Sequence, residues 1–243
     1  MAEFLKEESI DVRVDSKVVG VDRQGNSIAV KVESAGTISQ VVGTHVLVAI
    51  GRRPNTDDLG LDKAGITPDA HGYIQVDDQL RTNVPGIWAL GDCNGRGAFT
   101  HTSWNDYEIV ASNILDNGSR RVSDRIPAYA LYTDPPLGRA GMTETEVRKL
   151  GRPALKATMP MEDVSRAFEK GETKGFMKIL VDKQTKQILG ASLLGTSGDE
   201  VIHCVLDVMY AKAPYTVLEK AMHIHPTVSE FIPTMLGDLA PLE

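Results

Sequence analysis

The chain has 243 residues, 42% of them hydrophobic, with a net charge of −7 and a pI near 5.4. This acidic balance argues against a nucleic-acid surface; no apolar run reaches the ~20 residues of a membrane-spanning helix, and the start, MAEFLKEESI, lacks the apolar stretch of a signal peptide. The length allows one large domain or two small ones with a sizeable core, and Cys93 and Cys204 lie too far apart for a CxxC or zinc pattern, so a reducing, cytoplasmic setting is expected.

Residues 2–8 read as the last turns of a helix. Apolar residues then alternate at Val12 and Val14, at Val18, Val19 and Val21, at Ile28, Val30 and Val32, and again over residues 38–42. With turns at 23–26 and 34–36 this predicts a three-stranded antiparallel meander. Residues 44–50, THVLVAI, form an apolar run expected to be a strand through the core. Gly51, Arg52, Arg53, Pro54 and Asn55 follow; Pro54 disfavours helix at Arg53, and Asn55 can fold back in an Asx-turn. Short strands are expected around Gly72.

The chain is organised around residues 84–104, VPGIWALGDCNGRGAFTHTSW. Val84, Pro85 and Gly86 are turn chemistry, and residues 87–90 fit a short buried strand. Gly91 lets a backbone or ligand come close, and Asp92 offers a carboxylate at the strand end. A helix should open over residues 98–102, with Thr100 and Thr102 as candidate caps. It should run to about Asn117 with Ile109, Val110, Ile114 and Leu115 on its apolar side. A free helix N-terminus after a strand favours negative charge, suiting a phosphate or a flavin ring that becomes anionic on reduction.

Beyond residue 122 the spacing predicts a compact α+β unit. It has a strand at 128–132, a helix begun by a Thr143/Glu146 capping box and a strand at 155–159. A hairpin of 175–180 and 188–194, an amphipathic helix over 198–211, and helices over 215–222 and 228–236 complete it. Between the last two stands His225-Pro226-Thr227-Val228-Ser229-Glu230. Proline stiffens the backbone beside the imidazole, the bond before it can be cis, and a carboxylate partner sets the tautomer of a histidine. This pair is suited to general acid/base work. A metal reading through His223 and His225 with His203 or Glu230 lacks a convincing full ligand set. A hydrolase reading through Ser229 lacks a GxSxG elbow.

Three of these segments carry a resemblance. VPGIWALGDCNGRGAFTHTSW resembles the second FAD-binding motif of the pyridine nucleotide-disulfide oxidoreductases, the family of glutathione reductase, lipoamide dehydrogenase and mercuric reductase. GRRPN is similar to that family's crossing from the NAD(P) domain to the FAD domain, and HPTVSE matches its catalytic HPTxSE at every fixed position. PPLGRAGMTE is close to a mercuric-reductase-like branch.

The resemblance implies an α+β fold with three parts: a remnant of an NAD(P)-binding domain over 1–50, the second part of an FAD-binding domain over 51–121, and a dimerisation domain over 122–243. It implies FAD and NAD(P)H as cofactors of a full-length enzyme, with Gly51, Arg52, Asn55, Gly91, Asp92, Ala98, Phe99 and Thr100 on the cofactor side. It further implies His225 as acid/base and Glu230 as its partner, serving the opposite subunit of a homodimer that acts on a small disulfide or an oxidant. Neither nucleic acid nor membrane is expected as a partner. Two family features are absent from the sequence: the GxGxxG that cradles FAD and the redox CxxxxC pair. The expectation is therefore a C-terminal fragment that alone is silent and holds little FAD, or a non-catalytic dimerisation or binding module of the same descent.

Overall fold

The computed structural model describes residues 1–242 and is α+β, with two separate antiparallel sheets. A short helix α1 (Ala2–Glu7) leads into β1 (Ser16–Gln24), β2 (Ser27–Ser34) and β3 (Thr37–Gly43), which pair in the order β1-β2-β3. The meander follows the sequence alternation, with Val21 opposite Val30 and Val30 opposite Val41. Ala29 is its buried residue, whereas Val18, Val21, Ile38 and Val42 are exposed.

Residues 44–50 overturn the expected core strand. They have no strand assignment, and Leu47 and Ile50 are 88% and 90% exposed. An extended run becomes a strand only by pairing its N–H and C=O groups, and no described strand lies beside it. The strand expected at 87–90 is likewise reduced, to a single bridge between Arg81 and Trp88, with another between Pro68 and Ile74. A small core of Ile66, Ile74 and Ala89 closes around these bridges.

Helix α2 (Thr100–Leu115) opens within the expected 98–102 window. Phe99 takes the cap position in extended conformation, so neither Thr100 nor Thr102 is the cap. The Thr102 hydroxyl instead lies inside the first turn and bonds back to the Phe99 amide and carbonyl. The stop falls where expected: Asn117 is left-handed, and the Gly118 amide donates to the Ser112 carbonyl.

The second unit is built on a six-stranded sheet. Its strands are β4 (Ala128–Leu131), β5 (Leu137–Gly141), β6 (Ala154–Pro160), β7 (Phe176–Asp182), β8 (Ile188–Leu194) and β9 (Ala240–Pro241), in the order β4-β5-β8-β7-β6-β9. Helix α3 (Glu144–Lys149) carries the expected capping box: the Thr143 hydroxyl accepts from the Glu146 amide at 3.2 Å, and the Glu146 carboxylate accepts from the Thr143 amide at 2.7 Å. Helix α4 (Ser165–Lys170) buries Ala167, and α5 (Gly198–Tyr210) lays Val201, Ile202 and Val205 on β5 and β8. The contact is so close that a Cβ on Gly138 would stand 2.1 Å from the Gly198 carbonyl oxygen. Helices α6 (Thr216–Glu219) and α7 (Phe231–Leu236) are shorter than the spacing suggested, and α7 adds Ile232, Met235 and Leu236 to the same core.

The β7–β8 turn is fixed by Asp182, which is 1% exposed. Its carboxylate accepts from the Thr185 and Gln184 amides at 2.8 and 2.9 Å and pairs with Arg152 at 3.1 Å. The Thr185 amide, then the Gln184 amide and Arg152, hold its pKa below the ordinary carboxylate value against the opposing effect of burial. A depressed folded-state pKa contributes stability that is fully present above the unfolded value of about 3.9 and is lost as pH falls through the lower folded value. Asp182→Asn should therefore melt at lower temperature than the parent at pH 7, and the gap should narrow in melts run progressively below pH 4.

Candidate active site

Two constellations emerge, one in each unit. The first is a cleft of about 360 Å³ lined by Arg52, Asp92, Ala98, Phe99, Thr100 and Ser103. Gly91 opens a 3-10 turn, Gly91–Asn94, that projects Asp92 toward it. Its φ of 78° favours glycine, and a Cβ there would meet the Ser103 hydroxyl at 3.0 Å. Asp92 pairs with Arg52 at 2.8 Å and accepts from the Ser103 hydroxyl at 3.4 Å. Arg52 also donates to the Ala98 carbonyl at 2.6 Å, tying the GRRPN segment to the start of α2. Phe99 stacks between His101 (5.1 Å between centroids) and Tyr129 (6.0 Å).

Of the residues expected on the cofactor side, the structure brings Arg52, Asp92, Ala98, Phe99 and Thr100 together in this cleft, with Gly91 directly behind Asp92. Gly51 and Asn55 are exposed and do not line it. Sequence reasoning missed Ser103, and it missed what supports the turn. Asp106, 2% exposed, accepts from the Gly91 amide at 2.9 Å and from the Asn94 side-chain amide at 2.8 Å, and pairs with Arg125. The legible signal was a carboxylate on the buried face of α2, at i+4 from Thr102 and i−3 from Ile109.

The second constellation is His225 and Glu230. The His225–Pro226 bond is cis. Imidazole Nδ1 lies 3.0 and 3.1 Å from the two Glu230 carboxylate oxygens. Glu230 stands at the N-cap of α7, rather than inside the helix as the longer predicted helix implied, and one of its oxygens also accepts from the Thr227 amide at 3.2 Å. The Thr227 hydroxyl donates to the Ile224 carbonyl at 2.6 Å, which closes the loop beneath the ring. Because Nδ1 is held by the carboxylate, Nε2 is the nitrogen left to exchange protons, and the side chain is 72% exposed. His203 lies outside this cluster, and no group of three metal-ligating side chains converges among the described residues.

Neither cysteine is primed as a nucleophile. Burial, with the Asp106 and Asp92 carboxylates adding, pushes the Cys93 thiol up, and burial pushes Cys204 up to about 11. No described helix is long and apolar enough to cross a membrane.

Comparison with known proteins matches residues 1–106 to the pyridine nucleotide-disulphide oxidoreductase family and residues 127–236 to the dimerisation domain of the pyridine nucleotide-disulphide oxidoreductases. The Escherichia coli protein RclA, described as a probable pyridine nucleotide-disulfide oxidoreductase, is 36% identical over 232 residues, covering 95% of this chain and 52% of RclA. The dihydrolipoyl dehydrogenase of Thermus scotoductus is 32% identical over 228 residues, covering 93% of this chain and 49% of that enzyme. The solved structure of the HOCl-induced flavoprotein disulfide reductase RclA from Escherichia coli superposes with a TM-score of 0.90 at 34% identity, over 98% of this chain and 54% of that one. The chain thus spans about half the length of the relatives it matches.

Proposed function

The chain belongs to the pyridine nucleotide-disulphide oxidoreductase family, and from that premise we propose that it supplies the acid/base and dimerisation half of an FAD-dependent, NAD(P)H-linked disulfide reductase. The observation that carries this reading is the His225 imidazole held at Nδ1 by both oxygens of Glu230, with Nε2 facing outward. That is the arrangement a proton shuttle to an external sulfur needs. Residues 122–243 form the dimerisation domain, and the two-fold partner provides the disulfide site that His225 faces. Residues 1–50 and 51–121 are the NAD(P)- and FAD-domain portions. The likeness to RclA and to dihydrolipoyl dehydrogenase supports a small disulfide or an oxidant as the substrate class.

The cleft at Asp92 fits part of FAD. Its carboxylate suits the cofactor's sugar-like hydroxyls, and the N-terminus of the 16-residue α2 suits the flavin edge where negative charge develops. FAD, when bound, supplies electron transfer between NAD(P)H and the disulfide. The chain's own residues do the rest: Asp92 anchors and orients, Arg52 keeps the GRRPN segment against α2, Glu230 fixes the tautomer, and His225 moves a proton at Nε2.

The absence of GxGxxG and CxxxxC from these 243 residues favours, for the polypeptide alone, a non-catalytic dimerisation or binding role. The 243-residue protein should purify colourless, without flavin absorbance near 450 nm. A chimera that places the unmatched half of E. coli RclA before Met1 should be yellow, dimeric and able to oxidise NAD(P)H. A stoichiometric yellow complex of the 243 residues alone, or a folded, flavin-loaded and inactive chimera, would overturn this reading.

A further inference from the structure

We infer that Arg125 is the positioning residue of the turn that carries Asp92, and that it locks this turn to the sheet unit bearing His225. The chain crosses between the two units at residues 121–128, and every residue from 125 to 128 is bonded to one side or the other. Arg125 points back: Nε donates to the Asn105 side-chain oxygen at 2.9 Å and Nη2 donates to Asp106, while the other Asp106 oxygen accepts from the Gly91 amide at 2.9 Å and from Asn94 at 2.8 Å. The next three residues point forward or across. The Ile126 amide donates to the Tyr210 hydroxyl at the end of α5 at 3.2 Å, and the Pro127 carbonyl accepts from the Gly141 amide at 2.7 Å. The Ala128 carbonyl lies 3.0 Å from Nε2 of His101 in the first turn of α2.

Asp106 is therefore a buried relay. One oxygen fixes the backbone of the turn at its first residue, and the other is fixed by a guanidinium that arrives from the crossing segment. The ion pair is nearly dry, its side chains 3% and 11% exposed. Charge alone does not explain the choice of arginine, because two acceptors on adjacent residues of α2 are met in two directions by one planar group. A lysine ammonium can neutralise Asp106 but cannot span both. Nη1 of Arg125 is buried without a partner, so the guanidinium is placed for the geometry of the other two donors rather than for full satisfaction of its own. Any shift of the crossing segment moves Arg125, then Asp106, then the Gly91 amide next to Asp92.

The inference rests on the cofactor reading only in calling this turn flavin-facing, and its test has two separable arms. The first is amide hydrogen exchange of the 243-residue protein, comparing residues 89–95 with β7 and β8 in the parent, Arg125→Leu and Arg125→Lys. Arg125→Leu should speed exchange at Gly91 at least tenfold with β7–β8 amides unchanged, and Arg125→Lys should restore part of the protection. Unchanged protection at Gly91, or equal acceleration throughout, overturns the inference. Should Arg125→Leu fail to fold, Arg125→Lys decides alone, since a Gly91 amide as protected as in the parent overturns it. The second arm is flavin retention by the RclA chimera carrying the same variants. Faster exchange at Gly91 with undiminished flavin retention would leave the positioning role standing and remove the cofactor assignment of the turn.

Discussion

His225→Ala, in the chimera that completes the flavin and disulfide half, should lower turnover by about 10²–10⁴ while leaving flavin content and dimer mass intact, because positioned acid/base groups contribute rate factors of that size. The imidazole is exposed and sits outside the sheet core, so its loss opens no cavity. Glu230→Gln is the informative companion. It keeps a side chain able to reach Nδ1 but replaces the carboxylate that holds this nitrogen at 3.0 and 3.1 Å. Its effect should be smaller than that of His225→Ala, and in the double variant the two losses should fail to add, since both act through one proton. Steady-state NAD(P)H oxidation, with the flavin spectrum as a control for assembly, checks both. Turnover within twofold of the parent for His225→Ala would remove the histidine from the mechanism.

Asp106→Ala should destabilise the 243-residue protein by about 3–5 kcal/mol, because it strands the Arg125 guanidinium in a dry site and frees the Gly91 amide and the Asn94 side chain as well. That is a large share of the 5–15 kcal/mol typical of a domain. Removing both partners of a buried pair costs less than removing one, so Asp106→Leu combined with Arg125→Met should recover the part due to the stranded guanidinium and keep the part due to the Gly91 amide and the Asn94 side chain. Urea unfolding at neutral pH measures the difference through the midpoint at constant slope. A double variant as unstable as Asp106→Ala would show that the pair is not the source of the effect.

What the sequence disclosed, and what it hid, divides along the range of the interactions. The meander, the Thr143/Glu146 box, the β7–β8 hairpin and α5 are set by contacts a few residues apart or by simple periodicity, and they appear where expected. His225 and Glu230 lie five residues apart, close enough for motif and geometry to coincide. The apolar run at 44–50 indicates only that burial is wanted. Whether it becomes a strand depends on backbone partners, and none is present among the described residues. The GRRPN resemblance places Gly51, Arg52 and Asn55 together on the cofactor side; in the structure the long Arg52 side chain reaches Asp92, and Gly51 and Asn55 do not line the cleft. The Asp106–Arg125 pair joins positions nineteen residues apart across a change of unit, and no local pattern announces it. Only the oddity of a carboxylate on a core face hinted at half of it.

The meander has a consequence for how copies of this chain meet one another. Its order β1-β2-β3 leaves β1 and β3 as open edges, and the uncovered apolar residues 46–50 continue directly from β3. Unsatisfied edges accept strands from other molecules, and such head-to-tail addition does not close on itself, unlike a two-fold pairing. If the sheet unit pairs two-fold as proposed, these open edges offer a second and different surface that such a pairing leaves unused.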